Sequence, residues 1–164
     1  MELNNTQLST LKTAILVDPI LAALPRNPDS YAVIKKAFNV LDATFTVWKT
    51  NVSIGEVGDN IVATGLAALA AADTARLQAI ADYSPNGINP SLDDRRAFFN
   101  DIFSAVAGAS TRAKLLILWK RLATRAEKLY ANTANGNGAN ATPALLVVEG
   151  EIDETNVLDA FNRP

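Results

Sequence analysis

The chain contains no cysteine and no histidine. Without cysteine there is no disulfide framework, no thiolate metal site and no thiol nucleophile. Without histidine, the commonest general base and the commonest metal ligand are both missing. There is no excess of one charge: the formal net charge is −2 and the sequence pI is near 5.1, so the chain as a whole is not a general nucleic-acid binder. Met1-Glu2-Leu3-Asn4-Asn5 lacks the basic stretch that precedes the apolar run of a signal peptide. The Ala-rich stretch 61–72 is too short and too weakly apolar to cross a bilayer, which takes about 18 or more strongly apolar residues. Gly-rich phosphate motifs are missing too. Asn135-Gly136-Asn137-Gly138 has no Lys-Ser/Thr behind it and no strand-to-helix setting. The expectation is a soluble protein made in the cytoplasm, with no cofactor and no membrane partner.

What is present is enough for one domain with an appendage. A chain of 164 residues, 49% of them apolar, buries a core without staples. Thr6 is placed to cap a helix over 7–17, with Leu8, Leu11, Ile15 and Leu16 on one face. Asp18-Pro19 starts a short turn of helix. Asn27-Pro28 opens a helix to about residue 42 through Tyr31, Ile34, Phe38 and Leu41. Residues 43–51 are ambiguous: their Thr, Phe, Val and Trp favour an extended chain, and Phe45, Val47 and Trp48 must be at least partly buried. Ser53-Ile54-Gly55-Glu56 reads as a capping box. Asp73 or Thr74 caps a helix to about Tyr83, and Ser84-Pro85-Asn86-Gly87 is a turn. Asn89-Pro90-Ser91 opens a helix to about Val106, which Gly108 ends. From 111 to 131 the pattern reads as one long amphipathic helix with Leu115, Leu118, Trp119, Leu122, Ala126 and Leu129 on its apolar face. Strict alternation is absent, so the fold class expected is all-α. It is a bundle of about five or six helices over residues 1–131, a flexible linker over 132–143, and a docking tail over 144–164 holding a short strand and a short helix.

On that long helix, Lys114, Arg121, Arg125 and Lys128 form a narrow basic stripe of roughly 20 Å at about 1.5 Å per residue. It suits a solvated face, an acidic protein neighbour or nucleic-acid phosphates. No aromatic interleaving marks a base-stacking surface, which favours protein over DNA. Asp93-Asp94-Arg95-Arg96 resembles paired carboxylates, yet adjacent helical residues point about 100° apart and the first turn attracts acids through the helix dipole. No acid–base pair and no metal spacing emerges, and the expectation is a protein that is not an enzyme. The acidic run Glu149, Glu151, Asp153 and Glu154 lacks calcium-loop spacing; it is solvated or faces basic residues of a neighbouring subunit. Trp48 and Trp119 read as core anchors.

The apolar run Ala144-Leu145-Leu146-Val147-Val148, set behind the Asn/Gly segment, cannot stay exposed without risk of aggregation. It either folds back on its own body or adds to another chain, and Val157, Leu158 and Phe161 supply further anchors. A tether of about twelve residues typically reaches roughly 20 Å, enough to cross to an adjacent subunit. Docking on a neighbour is the preferred expectation, through Leu145, Leu146, Val147, Val148, Val157, Leu158 and Phe161.

Three stretches carry a resemblance: Thr10-Leu11-Lys12-Thr13-Ala14-Ile15 running to Asp18-Pro19-Ile20-Leu21-Ala22-Ala23; Gly87-Ile88-Asn89-Pro90-Ser91 with the helix behind it; and Lys120-Arg121-Leu122-Ala123-Thr124-Arg125-Ala126-Glu127-Lys128-Leu129-Tyr130, followed by a small-residue linker and Glu149-Gly150. In this order the chain resembles a family of small virion proteins encoded by tailed bacteriophages. The resemblance implies a neck protein, a head–tail connector or adaptor forming an oligomeric ring between portal and tail. Its partners would be further copies of itself, portal or tail proteins and, non-specifically, channel DNA. A tail-completion or terminator protein and a non-virion helical binding or regulatory protein are the alternatives.

Overall fold

Side chains that accept from helix-start amides set the first elements. The structure, a computed structural model, describes residues 1–163. Asn4 and Gln7 form a reciprocal capping box at the start of α1 (Asn5–Val17). The Asp18 carboxylate accepts from the amides of Ile20 and Leu21 and, with Pro19 at the first position, starts α2 (Pro19–Ala22). Asn27 caps α3 (Pro28–Phe38). The run rich in β-branched and aromatic residues then extends as β1 (Leu41–Trp48).

Five helices follow: α4 (Ile54–Asp59), α5 (Ala63–Ala67), α6 (Ala71–Tyr83), α7 (Asp93–Ile102) and α8 (Ala109–Leu118), the last entered through a 3-10 turn at Val106–Gly108. The chain then returns as β2 (Lys120–Thr124), which pairs antiparallel with β1, and turns into α9 (Arg125–Tyr130). A long irregular stretch leads to α10 (Glu154–Phe161), capped by Asp153.

The chain divides into two compact units. Unit 1 is Met1–Val47 with Leu122–Pro164, and unit 2 is Trp48–Arg121. Unit 2 is thus an insertion in the connection between the two strands. The main core of unit 1 gathers Leu8, Leu11 and Ile15 of α1, Ile34 and Phe38 of α3, Ala126 and Tyr130 of α9, and Ile152, Val157 and Ala160 from the C-terminal stretch. A smaller cluster holds Phe45, Val47, Ala123 and Ala144. Unit 2 has its own core around Phe99, Phe103, Leu115 and Trp119.

Two expectations are corrected. The fold is not an all-α bundle of five or six helices. It is mixed, about 55% helical, with ten α-helices and a two-stranded antiparallel sheet among the described residues. The long helix expected over 111–131 is broken: α8 stops at Leu118, residues 120–124 are a strand, and α9 starts afresh at Arg125. The physical reason lies in Thr124-Arg125-Ala126-Glu127. The Thr124 hydroxyl accepts from the Glu127 amide at 3.1 Å while the Glu127 carboxylate accepts from the Thr124 amide at 2.9 Å. That is a helix-start box in the middle of the apolar periodicity. The Arg125 amide, which a continuous helix would bond four residues back, donates to the Val40 carbonyl instead.

Residues 132–152 are tied to unit 1 throughout. Asn132 and Leu145 exchange backbone hydrogen bonds, the Thr46 amide donates to the Gly138 carbonyl, and the Ala144 amide donates to the Thr46 carbonyl. Gly138 has φ +82°, and a Cβ there would strike the Phe45 ring. The Asn39 side chain then clamps Ile152, donating to its carbonyl at 2.8 Å and accepting from its amide at 3.0 Å.

Candidate functional site

The tail residues singled out from sequence divide by direction. Val157 is fully buried against α1 and α3, and Phe161 is partly buried, its ring 6.0 Å from that of Tyr31 with the Arg26 guanidinium 4.8 Å above it. Leu145 is partly buried and Leu146 packs on the Phe45–Ala144 cluster, while Val148 packs on the main core of unit 1. Val147 and Leu158 face outward, 63% and 40% exposed. In this chain the tail therefore rests on its own unit, with those two side chains presented to the surroundings.

The four basic residues do not form one stripe. Lys114 is exposed on α8 and Arg121 lies half-buried in β2, while Arg125 and Lys128 sit on α9. A helical projection does not connect them, because the strand resets the side-chain direction. Arg125 reaches Asp18 at 3.5 Å with its guanidinium 5.2 Å from the Phe38 ring. Lys128 bonds Asp42 at 2.7 Å with its ammonium 5.3 Å from the Phe45 ring. Together these make an internally paired shelf beside a groove of about 400 Å³. The Lys128 ammonium, with the hydroxyl and amide of Thr44, holds the Asp42 carboxyl far below the usual carboxylate range. The Leu21 amide, chief among several donors, lowers Asp18 as well. Burial pushes the Tyr130 phenol up; its hydroxyl donates to the Gln7 carbonyl at 3.1 Å and ties α9 to α1.

Asp93 and Asp94 do not act as a pair. Asp93 forms an ion pair with Arg96 one turn on, and Asp94 accepts from the Arg95 amide. Among the described residues, no group of three or more acidic, cysteine or histidine side chains could hold a metal ion, and no helix is long and apolar enough to cross a membrane.

Three features escaped sequence reasoning. Glu127 is only 2% exposed, and its side-chain oxygens accept from the amides of Thr124 and Gly150, at 2.9 Å each, so one buried side chain caps α9 and anchors the tail. The Thr-x-x-Glu spacing was the available signal, masked by the apolar periodicity around it. The Asn39 clamp has no local signal, since its partner is 113 residues away. The third is a groove of about 370 Å³ in unit 2, walled by Trp48, Arg96, Asn100, Arg112, Leu116 and Trp119. The Arg96 guanidinium stands 4.1 Å from the Trp48 ring centre and the Lys120 ammonium 5.5 Å from it. Burial lowers the pKa of both cations. Trp119 is an anchor, with its ring edge-on to Phe99 at 5.5 Å, and its buried indole N–H has no acceptor.

Compared with models of known families, with characterised proteins and with solved structures, the chain finds no match.

Proposed function

We propose that the protein is a structural subunit of a tailed-phage particle, a head–tail adaptor that works by packing against copies of itself and against portal or tail proteins. The sequence resemblance suggests the setting, and one observation carries the assembly reading: large apolar side chains are left outside both cores. At the corner between α1 and α2, Val17 and Ile20 are 77% and 76% exposed with Leu16 beside them. In unit 2, Ile117 on α8 is 76% exposed next to Leu116. Single exposed apolar residues need no explanation, but a group such as Leu16, Val17 and Ile20 at one corner marks a protein contact.

Mass spectrometry of purified particles tests the setting, with the chain expected among the minor structural proteins. A Val17→Asp/Ile20→Asp double variant tests the contact. Its far-UV circular dichroism stays unchanged, because neither side chain supports the core, while its incorporation into particles falls. Absence of the chain from particles, or full incorporation of the folded double variant, overturns the reading.

A further inference from the structure

We infer that the Trp48–Arg112 groove of unit 2 is a docking site for the acidic loop Val147–Glu151 of a second copy of this chain. The inference rests on the assembly reading above and names its partner.

The groove is built for a carboxylate on an apolar stalk. Its floor and walls are aromatic and aliphatic: the Trp48 ring, Trp119 and the half-exposed Leu116. Its donors are cationic or neutral. Arg112 donates to two backbone carbonyls, those of Phe103 and Ala105, so its charge meets carbonyl dipoles there. Arg96 is fixed by the Pro90 carbonyl, by Asp93 and by the Trp48 ring. Asn100 presents an exposed amide on the same wall. Such fixed donors lose little freedom when they meet a carboxylate.

Nucleic acid fits this groove less well than a short acidic peptide. Asp93 stands on the same helix as Arg96, one turn before it, and pairs with it. That pairing leaves no run of cations for an extended polyanion, whereas a single carboxylate needs only Arg112 and the Asn100 amide.

Unit 1 displays a matching segment. Val147 is outward, Glu149 and Glu151 are exposed, and Gly150 makes the turn between them with φ +108°. The loop is held at its turn and its end: the Gly150 amide donates to Glu127, and the Met1 amino group donates to the Glu151 carbonyl at 2.9 Å. Loop and groove are different surfaces, one on each unit, so copy-to-copy contact is head-to-tail. Such a contact propagates and closes into a ring when the rotation permits.

The two tryptophans of the chain both line the groove, which makes intrinsic fluorescence a local reporter. A synthetic peptide of residues 145–155, titrated into the full chain, is expected to shift that fluorescence saturably. Arg112→Glu should weaken the peptide by about tenfold or more. Because Arg112 also bonds two carbonyls, Asn100→Glu on the exposed wall serves as the second variant and should weaken it with unchanged circular dichroism. In sedimentation, the full chain should self-associate in a salt-sensitive manner. Glu151→Lys should abolish this, and the combination Glu151→Lys/Arg112→Glu should restore it. A scrambled peptide acting as strongly, a response unaffected by both groove variants, or a fluorescence response to a DNA oligonucleotide alone would overturn the inference. Failure of the peptide while the chain is found in particles removes this contact and leaves the adaptor reading standing. Peptide binding with no chain in particles does the reverse.

Discussion

The two units solve helix formation differently. In unit 1 every helix start has a side-chain cap: Asn4 for α1, Asp18 for α2, Asn27 for α3, Thr124 for α9 and Asp153 for α10. In unit 2 only α4 has one, from Ser53; α5, α6, α7 and α8 begin without a side-chain cap. The contrast extends to packing. α6 has no buried residue and is held by partly buried Leu77 and Ile80 and by the Arg76 pairs with Asp73 and Asp101. α10, although shorter, buries Val157 and Ala160 completely. Unit 1 is specified locally and then closed by distant contacts, whereas unit 2 relies on the packing around Phe99 and Trp119. A cap contributes about 1 kcal/mol, so the difference is large enough to separate the stabilities of the units.

The sharpest way to break this comparison is to empty the core on which unit 2 depends. Phe99→Ala should cost about 3–5 kcal/mol, and hydrogen exchange should show protection lost across α7 and α8 while α1 keeps its own. Even in the parent chain, α6 amides should exchange before those of α1. Equal loss in both units would mean that they unfold as one. In unit 1, Glu127→Ala strips acceptors from the Thr124 and Gly150 amides and should cost about 2–4 kcal/mol, read from denaturant midpoints. Asn39→Ala removes only the Ile152 clamp. About 1–2 kcal/mol is expected, with raised exchange confined to the residues around 152.

The smallest effect concerns acid. Asp42 is depressed in the folded chain, so its contribution is present above the unfolded carboxylate value near 4 and is lost as pH falls from there toward the folded value. Asp42→Asn should flatten the loss of stability below about pH 4. Because Lys128 is partly exposed, the change should stay within about 1 kcal/mol. An identical acid profile in parent and variant would remove the Lys128–Asp42 pair from the account of unit 1.

The legible parts were those governed by neighbours in sequence. Asp18-Pro19, Asn27-Pro28 and Ser53-x-x-Glu56 start helices as read, because a cap and its amide lie within three residues. Leu8, Leu11 and Ile15 are buried as the helical period required, although Leu16 is exposed. The illegible parts were competitions. Apolar periodicity through Leu118, Leu122, Ala126 and Leu129 argued for one helix, and the Thr124–Glu127 box overrode it once β1 offered backbone partners. The basic stripe disappeared with that helix. The groove of unit 2 could not be foreseen, since Trp48, Arg96 and Arg112 lie on three separate elements.

By itself the sequence determined what chemistry is available, where most chains of short-range hydrogen bonds begin, and which side chains must leave water. Those depend on residue type and on spacings of a few residues. Only the tertiary structure decided that residues 120–124 are a strand, that Glu127 holds both a helix start and the tail, and that the apolar end of the chain rests on α1 and α3. Each of these joins groups far apart along the chain. Their free energy exists only when the fold has brought them within hydrogen-bonding or contact distance.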